Sequence, residues 1–272
     1  MTIAAGFKCM DGVLLCADSQ FTIADKSFRE KIITRAIGPA KFAFALCGDE
    51  DYALSAIEDC CYALDALEAT KYNVKSFRET ISSCISSASK SYDRHKGPSD
   101  QKPEFLVAIS MPEQNVQLFS ARESAMPPVS MCKVIGTGGY IARYIDRAFG
   151  LMSRQSIKDS IFMALYFVAA AKRHDAYCGG GSQFFVIRPG WAVGQFNYDW
   201  SAADDCLVEL DRTWGNLLSV MGDPSSAHFD IKMRSFQFNM ERIRGKFFEE
   251  NGSFWCLLRS MGINPESPPN LR

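Results

Sequence analysis

TIAAGFKCMDGVLLCADS, residues 2–19, stands directly behind Met1 and sets the reading of the whole chain. Two apolar runs, Thr2–Cys9 and Gly12–Asp18, flank Met10-Asp11-Gly12, and an Asp-Gly pair between apolar runs is a hairpin signal. Lys31–Ile37 (KIITRAI) and Lys41–Cys47 (KFAFALC) repeat the pattern around Gly38-Pro39, so the chain opens with four antiparallel strands. Met1 is expected to be removed, because a small residue follows it. A threonine with a free α-amino group unites a nucleophile and a base on one residue. Asp18 and Lys31 follow within the same block. By themselves Thr2, Asp18 and Lys31 fit either a self-contained hydrolytic site or ordinary surface positions.

Downstream, apolar residues at helical spacing (Leu54, Ile57, Cys61, Leu64, Leu67) predict a helix over about 51–69, and Phe77, Ile81, Ile85 and Ala88 a second over about 74–93. KGPSDQKP, residues 96–103, reads as a loop. Strands return at 104–110, 116–120 and 130–135, followed by Gly136-Thr137-Gly138-Gly139 and a helix through Phe149. Ser156 with Asp159 forms a capping box for a helix reaching about Lys172. A last hairpin is expected at 182–188 and 191–193, around Pro189-Gly190. Strands, two helices, strands, two helices, strands is the order of an α+β fold, expected as a four-layer αββα sandwich of two antiparallel sheets. Residues 1–197 form that domain in this reading, and 198–272 form a C-terminal helical extension. Arg234–Phe248 is read there as a basic amphipathic helix, and the tail from Asn264 as unstructured.

Composition narrows the function. The net charge is −1, with 30 basic and 31 acidic residues, so nothing favours nucleic acid or an anionic membrane as a partner. The longest apolar stretch, Ile161–Ala171, is too short to span a bilayer. The N-terminus lacks the basic region of a secretory signal. Ten cysteines without a CxxC pair, and three histidines, argue against a zinc site, and no metal or cofactor is expected. Reduced core thiols in a cytoplasmic protein are the expectation.

The motifs resemble those of β-type proteasome subunits and their bacterial relatives, within the N-terminal nucleophile hydrolases. That family starts at a threonine and places an aspartate sixteen residues later, as Thr2 and Ala17-Asp18-Ser19 do. Lys31-Ile32-Ile33 matches its next strand. Leu46-Cys47-Gly48 matches its alanine-glycine turn, with cysteine for alanine. Ile135-Gly136-Thr137-Gly138 matches V-G-S-G, with threonine for serine. Arg173-His174-Asp175-Ala176-Tyr177-Cys178-Gly179-Gly180 matches R-D-A-Y-S-G-G, with an added histidine and cysteine for serine. The match covers about residues 2–197.

The resemblance implies a threonine endopeptidase acting on polypeptide from a homo-oligomeric ring. Thr2 would be the nucleophile, Lys31 its cationic neighbour, and Asp18 the partner of Lys31. Gly48 would donate its N–H to the oxyanion, and Thr137, Asp175 and Cys178 would orient the Thr2 amine. Phe21, Arg29, Ile33 and Leu46 would line the pocket for the residue before the cleaved bond. No propeptide is expected, and an ATP-dependent unfoldase is the expected partner. The alternatives are an amidase acting on a small-molecule amide and a non-catalytic structural ring subunit.

Overall fold

Asp11 and Gly12 turn the first hairpin, and the rest of the sheet grows from it. Gly12 has φ of +152°, and a Cβ there would stand 2.4 Å from the carbonyl oxygen of Ile187, so only glycine fits. Asp11 accepts the N–H of Ile157 at 2.8 Å and pairs with Arg188, fastening the turn to distant parts of the chain. The computed structural model describes residues 3–22, 26–95, 102–112, 114–149, 156–189, 194–198, 201–221, 229–250 and 259.

Strands β1 (Ile3–Cys9) and β2 (Gly12–Asp18) pair antiparallel, with Gly6 opposite Leu15. They lie inside a five-stranded antiparallel sheet completed by β9 (Cys132–Gly136), β10 (Ser182–Ile187) and β11 (Gly194–Tyr198), in the order β11-β10-β2-β1-β9. A second antiparallel sheet has the order β5-β6-β7-β8. Its strands are β5 (Ile32–Ile37), β6 (Ala40–Cys47), β7 (Glu104–Ser110) and β8 (Gln117–Arg122). A small hairpin, β3 (Gln20–Thr22) with β4 (Lys26–Phe28), links the two.

The sequence KFAFALC explains how β6 is used. Alternate residues point to opposite faces of a strand. The large Phe42, Phe44 and Leu46 join a core cluster with Phe77, Ile81 and Ile57 from α1 (Glu50–Asp65) and α2 (Val74–His95). The small Ala43, Ala45 and Cys47 join another cluster with Ala4, Val13, Leu15 and Ala17 of the five-stranded sheet. Large side chains therefore face the helices, and small ones let the two sheets approach. On β1 and β2 packs α4 (Ile157–His174), where Phe7 and Phe167 meet with ring centroids 5.6 Å apart. The capping box expected at Ser156 and Asp159 is present. Between β9 and α4 lies α3 (Gly139–Phe149).

By its internal contacts the chain divides into two units, Met1–Tyr198 and Asp199–Arg272. The second holds α5 (Ser201–Met221) and α6 (Phe229–Glu250), which pack on each other with Trp214 against Phe236 at 5.9 Å. The α+β class with antiparallel sheets is thus observed.

Details differ from the expected boundaries. The first helix ends at Asp65, not near Ala69, because Ala66 caps it and only a short 3-10 turn, Ala69–Lys71, follows. The last strand is Gly194–Tyr198, later than the expected 191–193, and those three residues lie outside the described part, as does the tail from Asn264. Cysteines among the described residues are free thiols, and no cluster of three or more His, Cys, Asp or Glu there could hold a metal ion. Among the described residues no helix is long and apolar enough to cross a membrane.

Phe77 tests the helix-facing core. It is fully buried and meets Phe42 edge-on with centroids 5.2 Å apart. Phe77→Ala should cost about 3–5 kcal/mol of unfolding free energy. The check is the urea midpoint at unchanged slope, and a loss under about 1 kcal/mol would contradict this packing.

Candidate active site

Asp18 ends β2 and Lys31 precedes β5, and both side chains are completely buried. Lys31 Nζ donates to Asp18 Oδ1 at 2.6 Å and also to the carbonyl oxygen of Gln20. The Phe21 ring closes over the ammonium, its centroid 4.6 Å from Nζ, in a cation–π contact. Asp18 Oδ1 also accepts the N–H of Ile3 at 3.1 Å, and Oδ2 accepts the N–H of Gly179 at 2.9 Å. One carboxylate thus holds the first described residue of β1, the cation before β5, and the turn before β10.

Burial lowers the Lys31 pKa from 10.5, and the Asp18 carboxylate opposes that shift. The sign follows from linkage: the unfolded chain holds this proton more tightly, so the contribution of Lys31 to stability rises with pH in the window below 10.5.

Two residues outside the expected set complete the site. Gln183, buried in β10, accepts the backbone N–H of Lys31 at 2.8 Å. Gln20 supplies the carbonyl that receives Lys31 Nζ, and its side chain donates to the carbonyl of Ala176 at 3.4 Å. The only hint of Gln183 in the sequence was a polar residue inside the apolar run SQFFVI.

The remaining expected residues divide. Gly48 follows β6 with φ of +97°, and a Cβ there would stand 2.6 Å from the carbonyl oxygen of Lys102. Asp49 then caps α1, accepting the N–H of Tyr52 at 3.3 Å. Asp175 caps the end of α4 and accepts the N–H of Tyr177 at 2.9 Å, while its buried Oδ2 has no hydrogen-bond partner among the described residues. Cys178 lies three residues on, donating its N–H to the Asp175 carbonyl at 3.0 Å. Its thiol stands by the chain start: a Cβ on Gly138 would meet both Cys178 Sγ, at 2.9 Å, and Ile3 Cβ, at 3.0 Å. Burial first, then the carboxylates of Asp18 and Asp175, push that thiol far above its ordinary pKa, so it stays protonated. Thr137 sits beside Gly136, which pairs with Ile3. Thr2 lies outside the described residues.

Of the expected pocket residues, Phe21 and Leu46 are buried in the core cluster and Ile33 packs half-buried on it. Arg29 is exposed and ion-paired with Glu50 at 3.1 Å.

No known family matches the sequence, and no curated protein matches it. Solved structures do share the fold. It is similar to that of Anbu. The Anbu Gly-1 mutant of Hyphomicrobium sp. strain MC1 matches at TM-score 0.65 and 15% identity, over 80% of this chain and 95% of that one. Anbu of Pseudomonas aeruginosa, solved as a helical assembly, matches at 0.66 and 14%, over 83% and 100%. Anbu of Yersinia bercovieri, described as an ancestral beta-subunit, matches at 0.62 and 14%, over 82% and 97%. Identity this low shows the fold alone. The resemblance to proteasome β subunits is corrected by these matches: the similar structures are named Anbu, not proteasome β subunits. The reason is physical. The short motifs mark turns and strand ends that the fold requires, so they do not separate one family on it from another.

The buried pair supplies a test. Asp18→Asn leaves the Lys31 ammonium buried without its anion, at a cost of about 3–5 kcal/mol. Pairing it with Lys31→Met should recover part of that loss. Thermal unfolding of the two variants checks this, and equal melting temperatures for Asp18→Asn and the unsubstituted protein would refute the buried pairing.

Proposed function

We propose that the chain is an N-terminal threonine peptidase, with Thr2 as nucleophile once Met1 is removed. The observation that carries this reading is the wholly buried Asp18–Lys31 pair whose carboxylate also holds Ile3, the residue next to Thr2. Burying two charges is expensive and is a weak route to stability. A cation fixed on the carboxylate that holds Ile3 has a catalytic use instead.

In the proposed reaction Thr2 Oγ attacks the peptide carbonyl carbon, and its proton passes to the Thr2 α-amino group. That amine has a reference pKa of about 7.7–8.0, so a useful minority of it, roughly a tenth to a sixth, is free base at pH 7. The new C–O bond forms as the carbonyl electron pair moves onto oxygen. The Gly48 N–H meets that oxyanion, and glycine is the residue its positive φ allows. Lys31 favours the developing alkoxide, and Asp18 keeps Lys31 in place. The amine returns the proton to the leaving nitrogen as the C–N bond breaks, leaving an ester on Thr2. Water then hydrolyses the ester by the same proton route. Asp175, whose buried Oδ2 has no hydrogen-bond partner by geometry among the described residues, fits as an acceptor for the α-amino group. Thr137 can donate and accept beside it, and the protonated Cys178 thiol is a weak donor.

Phe21, Ile33 and Leu46 form the apolar side of the substrate pocket in this reading, with the Arg29–Glu50 pair at its rim. The four-layer αββα arrangement is supported by the core cluster shared between the sheets and by helices packed on each. Residues 198–272 are proposed as an extension of the catalytic domain. Self-association into a homo-oligomer, in the cytoplasm and served by an unfoldase, completes the proposal, and the helical assembly of the P. aeruginosa protein supports the self-association.

Intact mass should show loss of Met1, and a threonine-directed epoxyketone should add one mass increment per chain. Thr2→Ala should abolish both the adduct and peptide hydrolysis without shifting the melting temperature. Retained Met1, or cleavage that survives Thr2→Ala, would end the proposal. Gly48→Ala keeps the N–H but puts a Cβ 2.6 Å from the Lys102 carbonyl oxygen, so it should displace that N–H and lower kcat together with the melting temperature.

A further inference from the structure

The order β5-β6-β7-β8 puts Ile33 of β5 on one flank of β6, and the ends of β7 and β8 on the other. On that second flank, away from the apolar pocket, lies a cleft of about 540 Å³. Lys102, Glu104, Arg122, Lys133, Thr137 and Arg143 line it. It opens between two parts of the candidate site. Gly136 at its edge pairs with Ile3, and Lys102 stands against Gly48.

The charges in this cleft are unequal. Glu104 is engaged, holding Arg122 at 3.0 Å and accepting the N–H of Gly136 at 3.4 Å. Lys102 pairs with Asp93 at 2.8 Å and with Glu123 at 3.3 Å. Lys133 and Arg143, both exposed, have no ion-pair partner among the described residues. Arg143 lies along the first turn of α3, its Nη1 3.5 Å from where a Gly139 Cβ would stand. Two cations without an ion-pair partner among the described residues therefore share a cleft with Thr137, and Lys133 itself lies on the strand that pairs with Ile3 to Phe7.

We propose that this cleft binds a carboxylate on the leaving-group side of the substrate. The proposal rests on the Thr2 reading for its polarity. If Phe21, Ile33 and Leu46 take the residue before the cleaved bond, an extended peptide crossing Gly48 enters the cleft with the residues after it. Lys133 and Arg143 are then specificity-determining residues, and Arg143 offers the planar fork that suits a carboxylate. The carboxylate is either an acidic side chain or the free C-terminus of a short peptide.

Binding on Thr2→Ala protein tests this without turnover. Labelled peptides of one length, carrying Glu or Gln and ending in a free or amidated C-terminus, are titrated by fluorescence anisotropy at low salt. At least one carboxylate-bearing form should bind about tenfold tighter than the Gln amide, the sum of two modest charge contacts. That preference should shrink with added salt and vanish in Lys133→Gln/Arg143→Gln protein of matched melting temperature. Preference for the Glu side chain and preference for the free terminus both support the proposal and tell the two sources apart. Equal binding of all four peptides overturns it. A preference that persists in the double variant overturns it too, as does a changed oligomer size in that variant with the preference intact, which assigns the cleft to contacts between copies. Failure of the unsubstituted protein to cleave any peptide, with the binding preference present, strikes the Thr2 reading and leaves the carboxylate site standing.

Discussion

The buried Asp18–Lys31 pair is the constraint around which the first unit is arranged. Both charges are out of water, and that is tolerable only if every lone pair and proton is matched. The protein meets the demand with backbone: the Ile3 and Gly179 N–H groups on the carboxylate, and the Gln20 carbonyl on the ammonium. Those partners come from the start of β1, the link after β2 and the turn before β10. Moving any of them strips a buried charge of a partner. The pair therefore fixes Ile3 relative to Gln20 and to the turn at Gly179 that follows Cys178.

A second constraint is steric. In β6 the large residues Phe42, Phe44 and Leu46 alternate with the small Ala43, Ala45 and Cys47. The small set sets how closely the sheets approach, and so how near the end of β6 comes to the start of β1. Gly48 then turns with a positive φ against the Lys102 backbone, where any side chain would collide.

The local sequence made much of this legible. Apolar runs broken by Asp-Gly and Gly-Pro marked the hairpins, and Ser156 with Asp159 marked the start of α4. The β3–β4 hairpin was not legible, since three-residue strands are too short to show alternation. Lys31 at the head of KIITRAI looked like any strand-flanking lysine. Its burial depends on Phe21 and Gln183, which are distant in sequence from one another. The family was misjudged for a related reason, since motifs at turns report the needs of a fold and similar folds share them.

The sequence by itself determined the strand and helix order, the α+β class and the residue types available for chemistry, because these follow from periodicity and turn preferences that act over a few residues. Only the tertiary structure decided which charges are buried and which remain open. Asp18 and Lys31 became a sealed pair, Arg29 turned outward to Glu50, and Lys133 and Arg143 were left facing a cleft. The reason is that desolvation and pairing depend on what the rest of the chain brings within a few ångströms, and no local pattern encodes that.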